Sequence, residues 1–206
     1  MGAGMTRLSI SVVQTRMLAR VLGLTCSLIG LQSAAQAQLF EPQHFETTVP
    51  WYMVDEIRLG AIKQAIDDAP HEGGAALDVE VLFGRLPGNY ENSILNYFLT
   101  PRLHVGSLVS FGKTDEYYWG ATWDLKLFDR VFFESSFGGA AHDGPLDHLG
   151  WASYGCRVNF RESASLGYAL TREWRVMAEV DHMSNAGLCD SNRGLTNAGL
   201  RLGYKF

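Results

Sequence analysis

The 206-residue sequence predicts an all-β protein, an eight-stranded antiparallel transmembrane β-barrel. Three observations carry that prediction. Apolar and polar residues alternate with a period of two through most of the chain beyond residue 50, the pattern of strands with one apolar face. The other face mixes Asp, Glu, Arg and Lys with many of the 22 glycines, which suits a narrow polar interior filled by paired charges. The apolar face bears Trp, Tyr and Phe near strand ends, as an aromatic girdle does, and Phe206 falls on that face. A soluble β-domain would alternate too, with its apolar face inward; the charges beside many glycines on the other face suit a narrow barrel interior better.

Composition excludes other classes. A net charge of −5 leaves no basic stripe for nucleic acid. Beyond the N-terminus the sequence holds no run of 18 apolar residues, which argues against a helical membrane protein. The length suits one domain with a sizeable core and is short for a multidomain enzyme.

Residues 1–37 read as a secretory signal peptide that is removed. Arg7, Arg16 and Arg20 form a basic front, Val21 to Leu31 a short apolar run, and Ala35-Gln36-Ala37 a small-x-small cleavage site. The barrel domain is then 38–206, with 14 basic against 22 acidic side chains, or −8. Its strands are expected at 53–64, 76–86, 98–112, 115–127, 131–142, 152–170, 173–184 and 197–206. The fourth is the clearest. Tyr117, Trp119, Ala121, Trp123, Leu125 and Leu127 oppose Glu116, Tyr118, Gly120, Thr122, Asp124 and Lys126. In the seventh, Trp174, Val176, Ala178 and Val180 oppose Arg175, Glu179 and Asp181. In the last, Leu200, Leu202, Tyr204 and Phe206 oppose Gly199, Arg201, Gly203 and Lys205. Gly138-Gly139 in the fifth is expected to relieve crowding inside the barrel. Eight strands make a barrel whose interior is filled, so a pore is disfavoured. With both chain ends periplasmic, strand seven ends on the extracellular side.

The cysteines of that domain, Cys156 and Cys189, read as two independent thiols rather than a disulfide, because spacing alone does not establish proximity.

Chemistry concentrates at the end of strand seven. His182 and Ser184, two residues apart on a strand, share one face, and parity makes it the face of Val176, Ala178 and Val180. Polar side chains on a lipid-contacting wall are costly without a role there. Such a pair suits general base and nucleophile: His182 takes the hydroxyl proton and Ser184 attacks an ester carbonyl. The blander alternative is a strand end whose polar side chains reach headgroups or water. His142, Asp143, Asp147 and His148 could suggest a metal, but polar loops usually hold none, and neither a metal nor a cofactor is expected. Glu162 and Ser163 are assigned to a turn or to the polar interior.

The run His182-Met-Ser-Asn-Ala-Gly-Leu-Cys-Asp-Ser-Asn192-Arg-Gly194 resembles the signature of the lipid A 3-O-deacylase (PagL-type) family of outer-membrane hydrolases, with support from Asp55-Glu56-Ile-Arg-Leu-Gly60, Phe137-Gly-Gly-Ala-Ala-His142-Asp143-Gly144 and, more weakly, Phe160-Arg-Glu-Ser163. The resemblance implies hydrolysis of the ester-linked acyl chain at the 3-position of lipid A, at a site on the outer wall of a barrel in the bacterial outer membrane, facing the outer leaflet. By position it implies Ser184 as nucleophile and His182 as general base. It puts Asn185 and Asn192 near the oxyanion site, where Ala186 or Gly187 would offer backbone N–H groups worth roughly 3–4 kcal/mol of barrier. The implied partners are lipid A or lipopolysaccharide and outer-membrane lipids; a homodimer stays open and no nucleic acid is expected.

One position departs from the family pattern. The third triad member is a Glu twelve residues after the serine, and here that residue is Thr196. Threonine can accept a hydrogen bond from the imidazole but cannot offset an imidazolium charge; losing the charged partner costs serine proteases on the order of 10⁴ in turnover. Substitutes are Asn197, as in Cys-His-Asn enzymes, and Asp190, whereas parity turns Glu179 and Asp181 inward. Thr196 also favours the alternative function, a non-catalytic structural or adhesive barrel of the same family.

Overall fold

The computed structural model describes Thr47 and residues 49–206; the expected leader at 1–37 lies outside the described residues. Within the compact unit Pro42–Phe206 the strands are β1 (Val54–Gln64), β2 (Gly74–Arg85), β3 (Arg102–Ser110), β4 (Glu116–Lys126), β5 (Val131–His142), β6 (Val158–Ala169), β7 (Trp174–Ser184) and β8 (Leu195–Lys205). Each pairs antiparallel with its neighbours in sequence, and β1 pairs with β8 through Leu59↔Leu202 and Lys63↔Ala198, closing the barrel. Loops 65–73, 111–115, 143–157 and 185–194 lie together at one end, called here the upper end.

Two stretches differ from the sequence expectation. Residues 98–101 are not strand: a helix, α1 (Ser93–Leu99), occupies the β2–β3 connection. Asn92 caps it by accepting from the Ile94 and Leu95 N–H groups at 3.0 Å, and Pro101 disfavours helical backbone at Thr100. Strand six begins at Val158, not at 152. The chain before it turns through Gly150 and Gly155, both left-handed (φ +82° and +73°), which a strand cannot accommodate.

Alternation sorts the side chains as expected. On β7 Arg175, Met177, Glu179, Asp181 and Met183 are buried inside, while Trp174, Val176, Ala178 and Val180 face out. The interior is a charge lattice. Arg58 donates to Glu56 (2.8 Å), Glu80 (3.1 Å) and Glu134 (2.9 Å). Arg201 pairs with Asp78 (2.9 Å), Glu80 (3.1 Å) and Glu179 (2.6 Å). Arg161 lies over the Tyr118 ring, 3.9 Å from its centroid. These charges are removed from water and persist because each faces opposite charges, Arg58 and Arg201 with hydrogen bonds to them and Arg161 with Glu179 and Asp181 at 3.6 and 3.4 Å. Of the glycine pair, only Gly138 faces in, where a Cβ would collide with the Trp119 carbonyl. Gly139 faces out beneath the Trp119 ring, 3.1 Å from the position a Cβ would take.

Candidate active site

His182 and Ser184 stand half-buried on the outer wall at the upper end of β7, on the face that parity assigned them. Strand register sets their neighbours. His182 pairs with Glu162 on β6 and with Thr196 on β8, and Ser184 pairs with Phe160. His182 Nδ1 lies 2.9 Å from Thr196 Oγ1. The Thr196 hydroxyl lies 3.2 Å from Asp67 Oδ2, a carboxylate that can only accept. The consistent assignment has the Thr196 O–H donating to Asp67 and its lone pair receiving Nδ1–H, which leaves Nε2 as the basic nitrogen. Gly194, with φ +69°, lets the ring sit close: a Cβ there would lie 2.8 Å from Cε1 and 3.2 Å from Nε2 of His182. Ser184 Oγ has no hydrogen-bond partner among the described residues.

The loop after β7 is held by its own side chains. Asn185 is buried and donates from Nδ2 to the carbonyls of Tyr154 (2.7 Å) and Ser191 (2.6 Å). Its Oδ1 accepts the Gly187 N–H (2.8 Å), and its own N–H donates to Asn192 Oδ1 (2.9 Å). Ala186 and Gly187 are left-handed (φ +54° and +79°). Of the two backbone donors expected for an oxyanion, the Gly187 N–H is therefore engaged, whereas that of Ala186 has no partner among the described residues. Asn185 and Asn192 build the loop. Cys156 and Cys189 are not independent thiols but a disulfide, with Cα atoms 5.7 Å apart, tying this loop to loop 143–157. Barrel pairing of β6 with β7 brings two residues 33 apart in sequence together, which spacing alone could not show.

The substitutes for the missing glutamate fare differently. Asn197 does not reach His182. It is buried inside the barrel, where Nδ2 donates to Asp181 (3.0 Å) and Glu116 (3.3 Å) and Oδ1 accepts the Ala65 N–H (3.2 Å). The parity that turns Glu179 and Asp181 inward also turns Asn197 inward; both acids lie beside Arg161, at 3.6 and 3.4 Å. Asp190 is exposed on loop 185–194 and contacts no residue of the pair among the described residues. Glu162 belongs to neither turn nor interior: it is exposed on the outer wall opposite His182. Sequence reasoning missed Asp67 altogether. It lies in loop 65–73, 129 residues from Thr196, and no local motif marks it.

Two of the residues considered for a metal make contacts at the loops. His142 Nε2 lies 2.8 Å from the Cys156 carbonyl, and Asp143 accepts the Asp115 N–H at 2.8 Å. Beside the pair runs an apolar furrow of about 410 Å³ on the outer wall, lined by Trp119, Phe137, Gly139, Val158, Phe160 and Leu188. Its Phe137 and Phe160 rings stack at 5.9 Å, and Phe160 is the residue that pairs with Ser184.

The profile of the family described as lipid A 3-O-deacylase (PagL) matches residues 96–205, more than half of the chain and all of the β7–β8 site. The chain belongs to the lipid A 3-O-deacylase (PagL) family. Membership implies a hydrolase that acts on lipid A. Among solved structures, the chain is similar to the outer membrane enzyme PagL at 17% identity with a TM-score of 0.54, covering 73% of this chain and 99% of that one. It is also similar to a de novo designed transmembrane β-barrel, at 10% identity and a TM-score of 0.50, covering 78% of this chain and 100% of that one. These likenesses establish the fold, an outer-membrane type of barrel. No curated protein matches the chain significantly. Asp67 lies outside the matched stretch, and Thr196 lies within it.

Proposed function

We propose that this PagL-family barrel hydrolyses the ester-linked acyl chain at the 3-position of lipid A in the outer leaflet, with Ser184 as nucleophile and His182 as general base. The observation that carries the reading is the placement of both side chains on the lipid-facing wall, with the ring fixed through Nδ1 and its Nε2 left basic. As Ser184 Oγ attacks the ester carbonyl, its proton passes to His182 Nε2. The resulting oxyanion is met by the free Ala186 N–H. Collapse breaks the bond to the lipid A 3-oxygen, which leaves with the proton from Nε2, and a water activated by the same nitrogen then releases the fatty acid from Ser184. Such a donor acts on charge that develops only in the transition state. The apolar furrow beside Phe160 offers the acyl chain a seat without its leaving the membrane. In this reading residues 1–37 are a signal peptide removed on export, and the upper end faces outward.

The test is the mass spectrum of lipid A from outer membranes that contain the wild-type protein or Ser184→Ala. The wild type removes one 3-linked acyl chain and Ser184→Ala removes none, with both barrels folded. Identical spectra would leave the rival reading, a non-catalytic barrel, which draws on Thr196 at the position of the family glutamate.

A further inference from the structure

We propose that Asp67 is the acid of this site, orienting His182 and offsetting its charge through the Thr196 hydroxyl; this rests on the catalytic reading above. A triad acid has two tasks: to hold the imidazole in the tautomer with its proton on Nδ1, and to offset the positive charge the ring acquires. Thr196 alone can be donor or acceptor toward Nδ1 and so fixes neither. Asp67 removes that ambiguity. Its carboxylate accepts the Thr196 O–H (Oδ2, 3.2 Å) and also faces the Thr196 backbone N–H (Oδ1, 3.4 Å). The hydroxyl must then present its lone pair to His182 Nδ1–H at 2.9 Å. The negative charge sits one hydroxyl further from the ring than in a direct pair.

Barrel closure puts Asp67 there. The β1–β8 ladder runs on past Gln64: the Ile66 N–H donates to the Thr196 carbonyl at 2.9 Å, and the next residue is Asp67. Arg193, just before β8, secures the turn by donating to the Asp67 carbonyl (2.8 Å) and to Oδ2 (3.2 Å). Part of the carboxylate's charge is thereby shared with a guanidinium, so the relay is weaker than an unshared acid. Glu162, across the opposite strand, has no hydrogen bond to His182 among the described residues, and Nδ1 is already engaged on the Thr196 side.

The experiment uses the full-length barrel, folded in detergent micelles, with purified lipid A as substrate and two readouts. In turnover, Asp67→Asn lowers kcat by about 10- to 100-fold with KM unchanged, less than the ~10⁴ lost with a directly bonded acid. In the Thr196→Glu background, where a carboxylate meets Nδ1 directly, Asp67→Asn changes kcat by less than about twofold. The second readout needs no activity. The ¹⁵N spectrum of the His182 imidazole, assigned by its loss in His182→Ala, shows the Nδ1–H tautomer in the wild type and a mixture in Asp67→Asn. Unchanged kcat and tautomer in Asp67→Asn overturn the proposal. So does an equal fall in both backgrounds, which makes Asp67 a loop anchor only. A loss in Glu162→Gln with Asp67→Asn silent assigns the acid to Glu162 and overturns it as well. A wild type without deacylase activity whose His182 tautomer still depends on Asp67 defeats the function and leaves the relay standing.

Discussion

Gly194→Ala tests most directly the placement of His182, the proposed base. A Cβ at this position would stand 2.8 Å from His182 Cε1, where ordinary contact begins near 3.4 Å, so the ring must retreat by about 0.6 Å. The backbone cannot yield instead, because the Met183 carbonyl lies 3.3 Å from the same Cβ position and φ is fixed at +69°. A shift of that size stretches the 2.9 Å bond from Nδ1 to Thr196 and moves Nε2 relative to Ser184. Misplacement of a reacting group by about 1 Å costs on the order of 10²-fold, so deacylation is expected to fall by roughly 10- to 100-fold. The left-handed alanine itself costs about 1–2 kcal/mol of stability. Gly112→Ala controls for that cost: φ there is +90°, nothing lies within 4 Å of the added Cβ, and Gly112 belongs to loop 111–115, outside the site. The assay follows the loss of acyl mass from lipid A with time, alongside the heat-modifiable migration that reports a folded barrel. Wild-type rates in Gly194→Ala, with the barrel as stable as Gly112→Ala, would refute the claim that the His182 position limits the reaction.

Two further outcomes follow from the packing around the site. Cys156→Ala opens a cross-link that closes a 33-residue separation, a loss of about 3–4 kcal/mol in the chain-entropy limit. Loop 185–194 is the part loosened, so deacylation falls by about tenfold while far-UV circular dichroism keeps its strand signal. Arg58→Met leaves Glu56, Glu80 and Glu134 buried without that partner, and the urea midpoint read by Trp fluorescence falls by the equivalent of roughly 3–5 kcal/mol. An unchanged midpoint would mean that neighbouring arginines absorb the charge.

Most of the barrel was legible because a strand displays its two faces residue by residue. The β4 and β7 patterns translate directly into outer wall and charged interior. The errors fall where that period does not apply. A seven-residue helix such as α1 is too short for a 3.6-residue period to show, although its Asn92 cap and Pro101 stop were both present. Residues 152–157 carry apolar side chains like a strand, yet Gly155 and the Cys156 bridge bend them into a loop. At the site, parity alone places His182, Ser184 and Thr196 on one wall. Applied to Asn197, the same rule would have removed it.

By itself, then, the sequence determined which side chains face lipid and which face the interior, because side-chain direction along a strand is a local property of the backbone. It determined as well that His182 and Ser184 share the outer face near the end of β7. Which groups surround them was decided only by closing the ring. Pairing β1 with β8 brings Asp67 to Thr196, and pairing β6 with β7 brings Cys156 to Cys189. Those contacts join residues 129 and 33 apart in sequence, and register across a closed sheet sets them rather than any pattern within one strand.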